Sequence, residues 1–123
     1  MKKLIVLMAF LLLSCSGDDD NDEVICTEEA RAGLMVTVKD AVSGANLTQG
    51  VTVTAADGNY TEELVNMPEF SVEFIGAYER AGNYILTVTK EGYTTYTSPV
   101  IEVGEDICHV IGESVIVQLQ PED

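Results

Sequence analysis

Tryptophan is absent from this 123-residue chain, histidine occurs once, and only six residues are basic. Without Trp, five Tyr and three Phe are the whole supply for a flat aromatic platform of the kind that glycan-binding modules present to sugars. The single histidine, His109, is the one imidazole open to base or metal chemistry. Six bases stand against 21 acids, a net charge of −15. That balance excludes nucleic acid as a partner, because such affinity comes from neutralised phosphates. Long apolar runs are also missing. The longest, Leu4 to Leu13, falls well short of the roughly 20 residues that span a bilayer.

That run follows Lys2 and Lys3, so it fits the h-region of a secretory signal behind a positive n-region. It ends at Leu12-Leu13-Ser14-Cys15, where an ordinary cleavage site would read small-x-small. The four residues resemble the lipobox of bacterial lipoproteins. The resemblance implies a signal peptide over 1–14, cut before Cys15, with diacylglycerol on the Cys15 thiol. Several acyl chains then hold the membrane stably, which a single chain does not. The alternative is an ordinary signal peptide with an incidental cysteine.

An acidic run follows at once. Asp18, Asp19, Asp20, Asp22 and Glu23 repel one another and cannot build a core, so residues 15–25 are expected to form a solvated tether. As a calcium loop the run lacks the sharp-turn Gly and the closing Glu of an EF-hand. Small residues and aspartates just after the lipid cysteine resemble the export signal of Bacteroidetes-type surface lipoproteins. That implies an outer-membrane protein facing outward, with Asp18, Asp19, Asp20 and Asp22 as the signal. With Cys15 lipidated, Cys26 and Cys108 remain. Export places them in an oxidising compartment, where such a pair reads as a disulfide. The alternative is two buried free thiols. A bridge across 82 residues stabilises the fold by roughly 4 kcal/mol on the chain-entropy model. Removing residues 1–14 leaves four bases against 21 acids, a net −17.

The rest, 26–123, suits one β-rich domain. Period-2 alternation marks seven stretches. "GLMVTVKD" places Leu34, Val36 and Val38 on one face. "GVTVTAADG" places Val51, Val53 and Ala55 likewise, and Asp57-Gly58 supplies a tight hairpin. "NYTEELV" is the expected return strand with an acidic outer face. "FSVEFIG" turns Phe70, Val72 and Phe74 inward. "GNYILTVTKEGY" buries Tyr84, Leu86 and Val88 and turns at Glu91-Gly92. "YTTYTSPVIEV" breaks phase at Pro99, the mark of an edge strand or bulge. "ESVIVQLQ" closes with Val115, Val117 and Leu119. No window carries a helical stripe, and "TEEAR" gives at most one turn. The fold class is an all-β sandwich.

"MVTVKDAVSGANLTQGVTVTAADG" resembles the opening of carboxypeptidase regulatory-like domains, which are transthyretin-like. "GNYILTVTKEGY" resembles their Gly-x-Tyr segment through Gly82, Tyr84, Leu86, Val88, Gly92 and Tyr93. The likeness covers Gly33 to Pro121. It implies a seven-stranded Greek-key sandwich and carries over no catalytic residue and no cofactor.

Catalytic chemistry finds little support in the residues. Cys108 and His109 are sequence neighbours, which on a strand point to opposite faces. One His and two bridged cysteines cannot make a zinc centre. The carboxylate pairs Glu28-Glu29, Glu62-Glu63 and Glu105-Asp106 read as turn or outward residues, so no catalytic or metal site is expected. The expectation is a non-catalytic surface module. Its partners are the membrane, through the lipid, and a protein of an outer-membrane assembly. The alternative partner is a glycan, for which Tyr60, Tyr78 and Tyr96 are the candidate exposed aromatics.

Overall fold

A computed structural model describes residues 24–123. The expected signal peptide, Cys15, and Asp18, Asp19, Asp20 and Asp22 lie outside the described residues.

Ten strand segments follow an irregular, exposed start from Val24 to Arg31. They are β1 (Leu34–Asp40), β2 (Thr52–Asp57), β3 (Tyr60–Glu63), β4 (Val65–Asn66), β5 (Phe74–Gly76), β6 (Gly82–Thr89), β7 (Tyr96–Thr97), β8 (Ile101–Glu105), β9 (Val110–Ile111) and β10 (Glu113–Leu119). No helix occurs among the described residues. One sheet runs β10-β1-β5-β4, with β1 and β10 parallel. The other runs β3-β2-β6-β8-β9, with β7 also paired to β6. All pairs but β1–β10 are antiparallel. The two sheets enclose one core in a sandwich-like arrangement.

The alternation sets that core. Leu34, Val36, Val38, Val53, Ala55, Tyr84, Leu86, Val88, Val117 and Leu119 are all fully buried. Each fully buried aliphatic side chain contributes about 1.5–3 kcal/mol relative to exposure. Val51 and Val115 pack half-buried at the rim. Tyr84 buries its ring because its hydroxyl is satisfied: it donates to the Arg80 carbonyl at 2.8 Å and accepts from Arg80 at 3.0 Å.

Two of the seven expected stretches divide, for local reasons, and one further strand appears. In "NYTEELV", Leu64 is buried between β3 and β4 and donates its N–H to Val53, so the chain leaves one sheet there and joins the other. In "YTTYTSPVIEV", the break falls at Pro99, which has no N–H. Ser98 holds the place: its N–H donates to the Leu86 carbonyl, and its Oγ accepts the Leu86 N–H at 2.8 Å. Ahead of "ESVIVQLQ", the short β9 pairs with β8.

The hairpin falls one residue later than expected. Asp57 pairs with Tyr60, leaving Gly58-Asn59 as the loop, with φ 62° at Gly58 and no positive φ at Asn59. Glycine alone at positive φ, in first position, is the pattern of a II′ turn. Lys90 to Tyr93 form the expected turn, with Gly92 at φ 89°. Asp40 ends β1 by accepting the N–H groups of Val42 and Ser43 and the Tyr93 hydroxyl. The Tyr93 hydroxyl, then those N–H groups, hold the Asp40 carboxyl below its usual range.

One stretch departs from its expected packing. Phe74 is buried, but Phe70 is 83% and Val72 42% exposed. Pro68 explains it. Met67 to Phe70 form a turn closed by the Phe70 N–H on the Met67 carbonyl at 2.9 Å, with proline second. Strand geometry starts only at Phe74, so the alternation counted from Phe70 does not apply.

Candidate functional site

Two regions carry chemistry that the core does not absorb. The first is a polar clasp around His109. Cys108 and His109 lie in a bend between β8 and β9, not on the strand expected for them. Asp106 shapes that bend: its Oδ1 accepts the N–H groups of Cys108 and His109, each at 2.8 Å. Those two bonds, His109 first, hold the Asp106 carboxyl below its usual range. Cys26 and Cys108 stand at disulfide distance with Cα atoms 5.3 Å apart, inside the range a bridge requires.

His109 is buried and has a partner for each ring nitrogen. Nδ1 lies 2.6 Å from Glu79 Oε2, and Nε2 lies 3.0 Å from Thr27 Oγ1. Glu79 is the hub. Its Oε2 also accepts the Arg31 N–H at 2.9 Å, its Oε1 accepts the Val110 N–H at 3.2 Å, and its own N–H donates to the Arg31 carbonyl. The His109 contact, then the Arg31 N–H, lower the Glu79 pKa. Glu29 is lowered as well, first by Arg31 and then by the Thr27 hydroxyl. The clasp thus joins the N-terminal segment, the turn before β6 and the β8–β9 bend.

The order Thr27 hydroxyl, His109 imidazole, Glu79 carboxylate has the connectivity of a nucleophile triad. The same contacts tie the N-terminal segment and the turn before β6 to the β8–β9 bend, a cross-link between segments distant in the chain. Cys108, paired with Cys26, has no free thiol for a dyad. Among the described residues no group of three or more His, Cys, Asp or Glu is placed to hold a metal ion.

The second region is an apolar groove on the outer face of the four-stranded sheet. Val65 on β4 stands opposite Ile75 on β5, and Ile75 opposite Met35 on β1, so the three form a row facing away from the core. The turn carrying Phe70 and Met67 closes one side, and Tyr78 closes another. They enclose a cavity of about 350 Å³ with the carboxylates of Glu62 and Glu73 in its wall. Phe70, Met67, Val65 and Tyr78 are each more than half exposed.

The expected site residues divide between these regions and the core. Tyr60 and Tyr96 do not form an exposed platform with Tyr78. Both pack against the core, and Tyr60 lies under the Arg80 guanidinium, 3.7 Å from its ring centroid. Of the three, only Tyr78 is exposed, and it joins Phe70 in the groove. Glu62 is not an outward acid either. Its two oxygens accept the Ala77 N–H at 3.2 and 3.0 Å, and Oε1 also accepts the Tyr60 hydroxyl. Sequence reasoning missed Glu79 and Thr27, whose partners are 30 and 82 residues away. It also turned Phe70 inward, although Pro68 marked the turn.

Groove and clasp meet at the segment Ala77-Tyr78-Glu79. Ala77 and Glu79 hold φ of 55° and 50°, a region that side chains other than glycine seldom adopt. Glu62 fixes the first from the groove side, and the clasp fixes the second.

Comparison with known protein families and with curated proteins finds no match for this chain. Among the described residues no helix is long and apolar enough to cross a membrane.

Proposed function

We propose that this is a non-catalytic cell-envelope lipoprotein, anchored to the outer membrane through Cys15, whose sandwich serves as a contact module for a protein of an outer-membrane assembly. The carrying observation is the groove: Val65, Met67, Phe70 and Tyr78 stand exposed together around one cavity on a chain that is otherwise strongly acidic. Contiguous apolar exposure on a soluble domain marks an interaction surface. The proposal includes a transthyretin-like Greek-key topology, supported by the Gly82-to-Tyr93 segment. It also includes outward display through Asp18, Asp19, Asp20 and Asp22, supported by the resemblance of that run.

A photo-crosslinking residue at position 70 in living cells tests the contact. A discrete protein adduct that is absent when the same residue replaces Val100 supports it. No adduct at either position overturns it. The anchor is tested separately: Cys15→Ala should abolish labelling by a fatty-acid analogue and release the protein from the membrane fraction. Equal label on both proteins overturns the anchor. Glycan binding is the second reading, favoured by Phe70 and Tyr78 sharing one groove. Saturable glycan-array binding lost on Tyr78→Ala, without a protein adduct at position 70, would establish it.

A further inference from the structure

We infer that the groove receives an extended segment of a partner protein in which an aliphatic or aromatic residue is flanked by lysine or arginine. This rests on the contact function proposed above and specifies its chemistry.

The groove's floor is aliphatic, from Val65 and Ile75, and its lip is Phe70, the most exposed aromatic of the domain. A 350 Å³ cavity holds one or two side chains, not a folded surface. Its polar wall is of one sign. Glu62 is engaged with Ala77 and Tyr60. The Glu73 carbonyl accepts the Asn66 amide at 2.9 Å, while no hydrogen bond among the described residues engages its carboxylate, and Glu69 precedes Phe70 in the turn. No lysine or arginine lines the cavity. Two of the domain's four bases are held elsewhere, Arg31 by Glu29 and Arg80 by Asp57. Lys90 donates to the Gln49 carbonyl, and Lys39 sits near the far end of β1.

Charge therefore selects the occupant. Five of the 21 acids precede Val24, leaving sixteen against four bases in the domain. An anionic bilayer surface meets a like-charged rim, and so does a second copy of this chain. A cationic segment gains attraction on approach and at the rim, while its apolar residue leaves water in the groove. Strand addition beside the groove is disfavoured, because β4, the sheet's edge there, has only two residues and Pro68 stands two positions beyond it. Recognition therefore runs through side chains on the outer face.

The test uses the purified full chain and fluorescent peptides of alternating lysine and valine, of glutamate and valine, and of lysine and serine. The lysine–valine peptide should bind saturably. Phe70→Ser should weaken it about tenfold, as should Glu73→Lys, and higher salt should weaken it further. Both positions are on the surface, so unchanged thermal unfolding of each variant checks that the fold is intact. The other two peptides should bind at least tenfold more weakly. Equal binding of lysine–serine reduces the effect to net charge and overturns the inference, as does equal binding of glutamate–valine. Phe70-dependent binding to phosphatidylglycerol vesicles, or a dimer lost in Phe70→Ser, reassigns the groove to lipid or to a second copy and also overturns it. A cellular adduct at position 70 without lysine–valine binding overturns only the cationic chemistry and leaves the contact function standing.

Discussion

The clasp and the groove lie on either side of Tyr78 and present opposite problems. In the clasp, the His109 imidazole leaves water and both its nitrogens find a partner, while the part-exposed Glu79 carboxylate gathers the N–H groups of Arg31 and Val110. A buried polar group without a partner is costly, so these bonds are what the fold requires at that place. The clasp is explained once the N-terminal segment is docked. In the groove, apolar groups remain in water although the core lies one strand thickness away. Phe70 is held outward by the Pro68 turn while Phe74 fills the interior. Nothing in the domain's own folding needs Phe70, Met67 and Tyr78 side by side at the surface. The difference separates a stability device from the surface on which the proposed contact function rests.

The largest expected effect breaks the pairing of the two phenylalanines. Phe74→Ala empties a buried site and should lower stability by about 3–5 kcal/mol in urea unfolding. Next comes the bridge. Cys26→Ala, Cys108→Ala and the double change should each cost about 2–4 kcal/mol, alike because each removes the same bond. The groove should still bind its peptide below the unfolding midpoint. Two free thiols by mass spectrometry, in protein directed to an oxidising compartment, would remove the covalent part of the clasp.

A smaller effect sharpens the clasp by pH. The Glu79 carboxyl is lowered from 4.5 in the fold, so its contribution is complete above that value and fades as pH falls through the lower, folded pKa. Urea midpoints between pH 6 and pH 3 should therefore decline less steeply in Glu79→Gln than in the parent. Parallel slopes would show that Glu79 is not the hub. The smallest stability effect belongs to Phe70→Ser, within about 0.5 kcal/mol of the parent, because its side chain is already in water. A loss like that of Phe74→Ala would mean that Phe70 packs inward and the groove does not exist.

By itself the sequence determined the β class and most of the core, since the period of two that places Val36 beside Val38 and Leu86 beside Val88 is a property of each strand alone. Local chemistry also located the turns at Gly58 and Gly92, and the expectation of export, read from the first residues, singled out Cys26 and Cys108. Only the tertiary structure decided how those pieces meet. It moved the chain between sheets at Leu64, aimed Glu62 at the Ala77 N–H, and set His109 between Glu79 and Thr27 from three distant segments. The reason is physical. Alternation reports which face of a strand is dry, but hydrogen bonds between remote segments and the space between a turn and a sheet exist only after docking. Phe70 shows both sides: Pro68 was visible in the chain, but that the turned-out ring would close a groove with Tyr78 depended on where β4 and β5 came together.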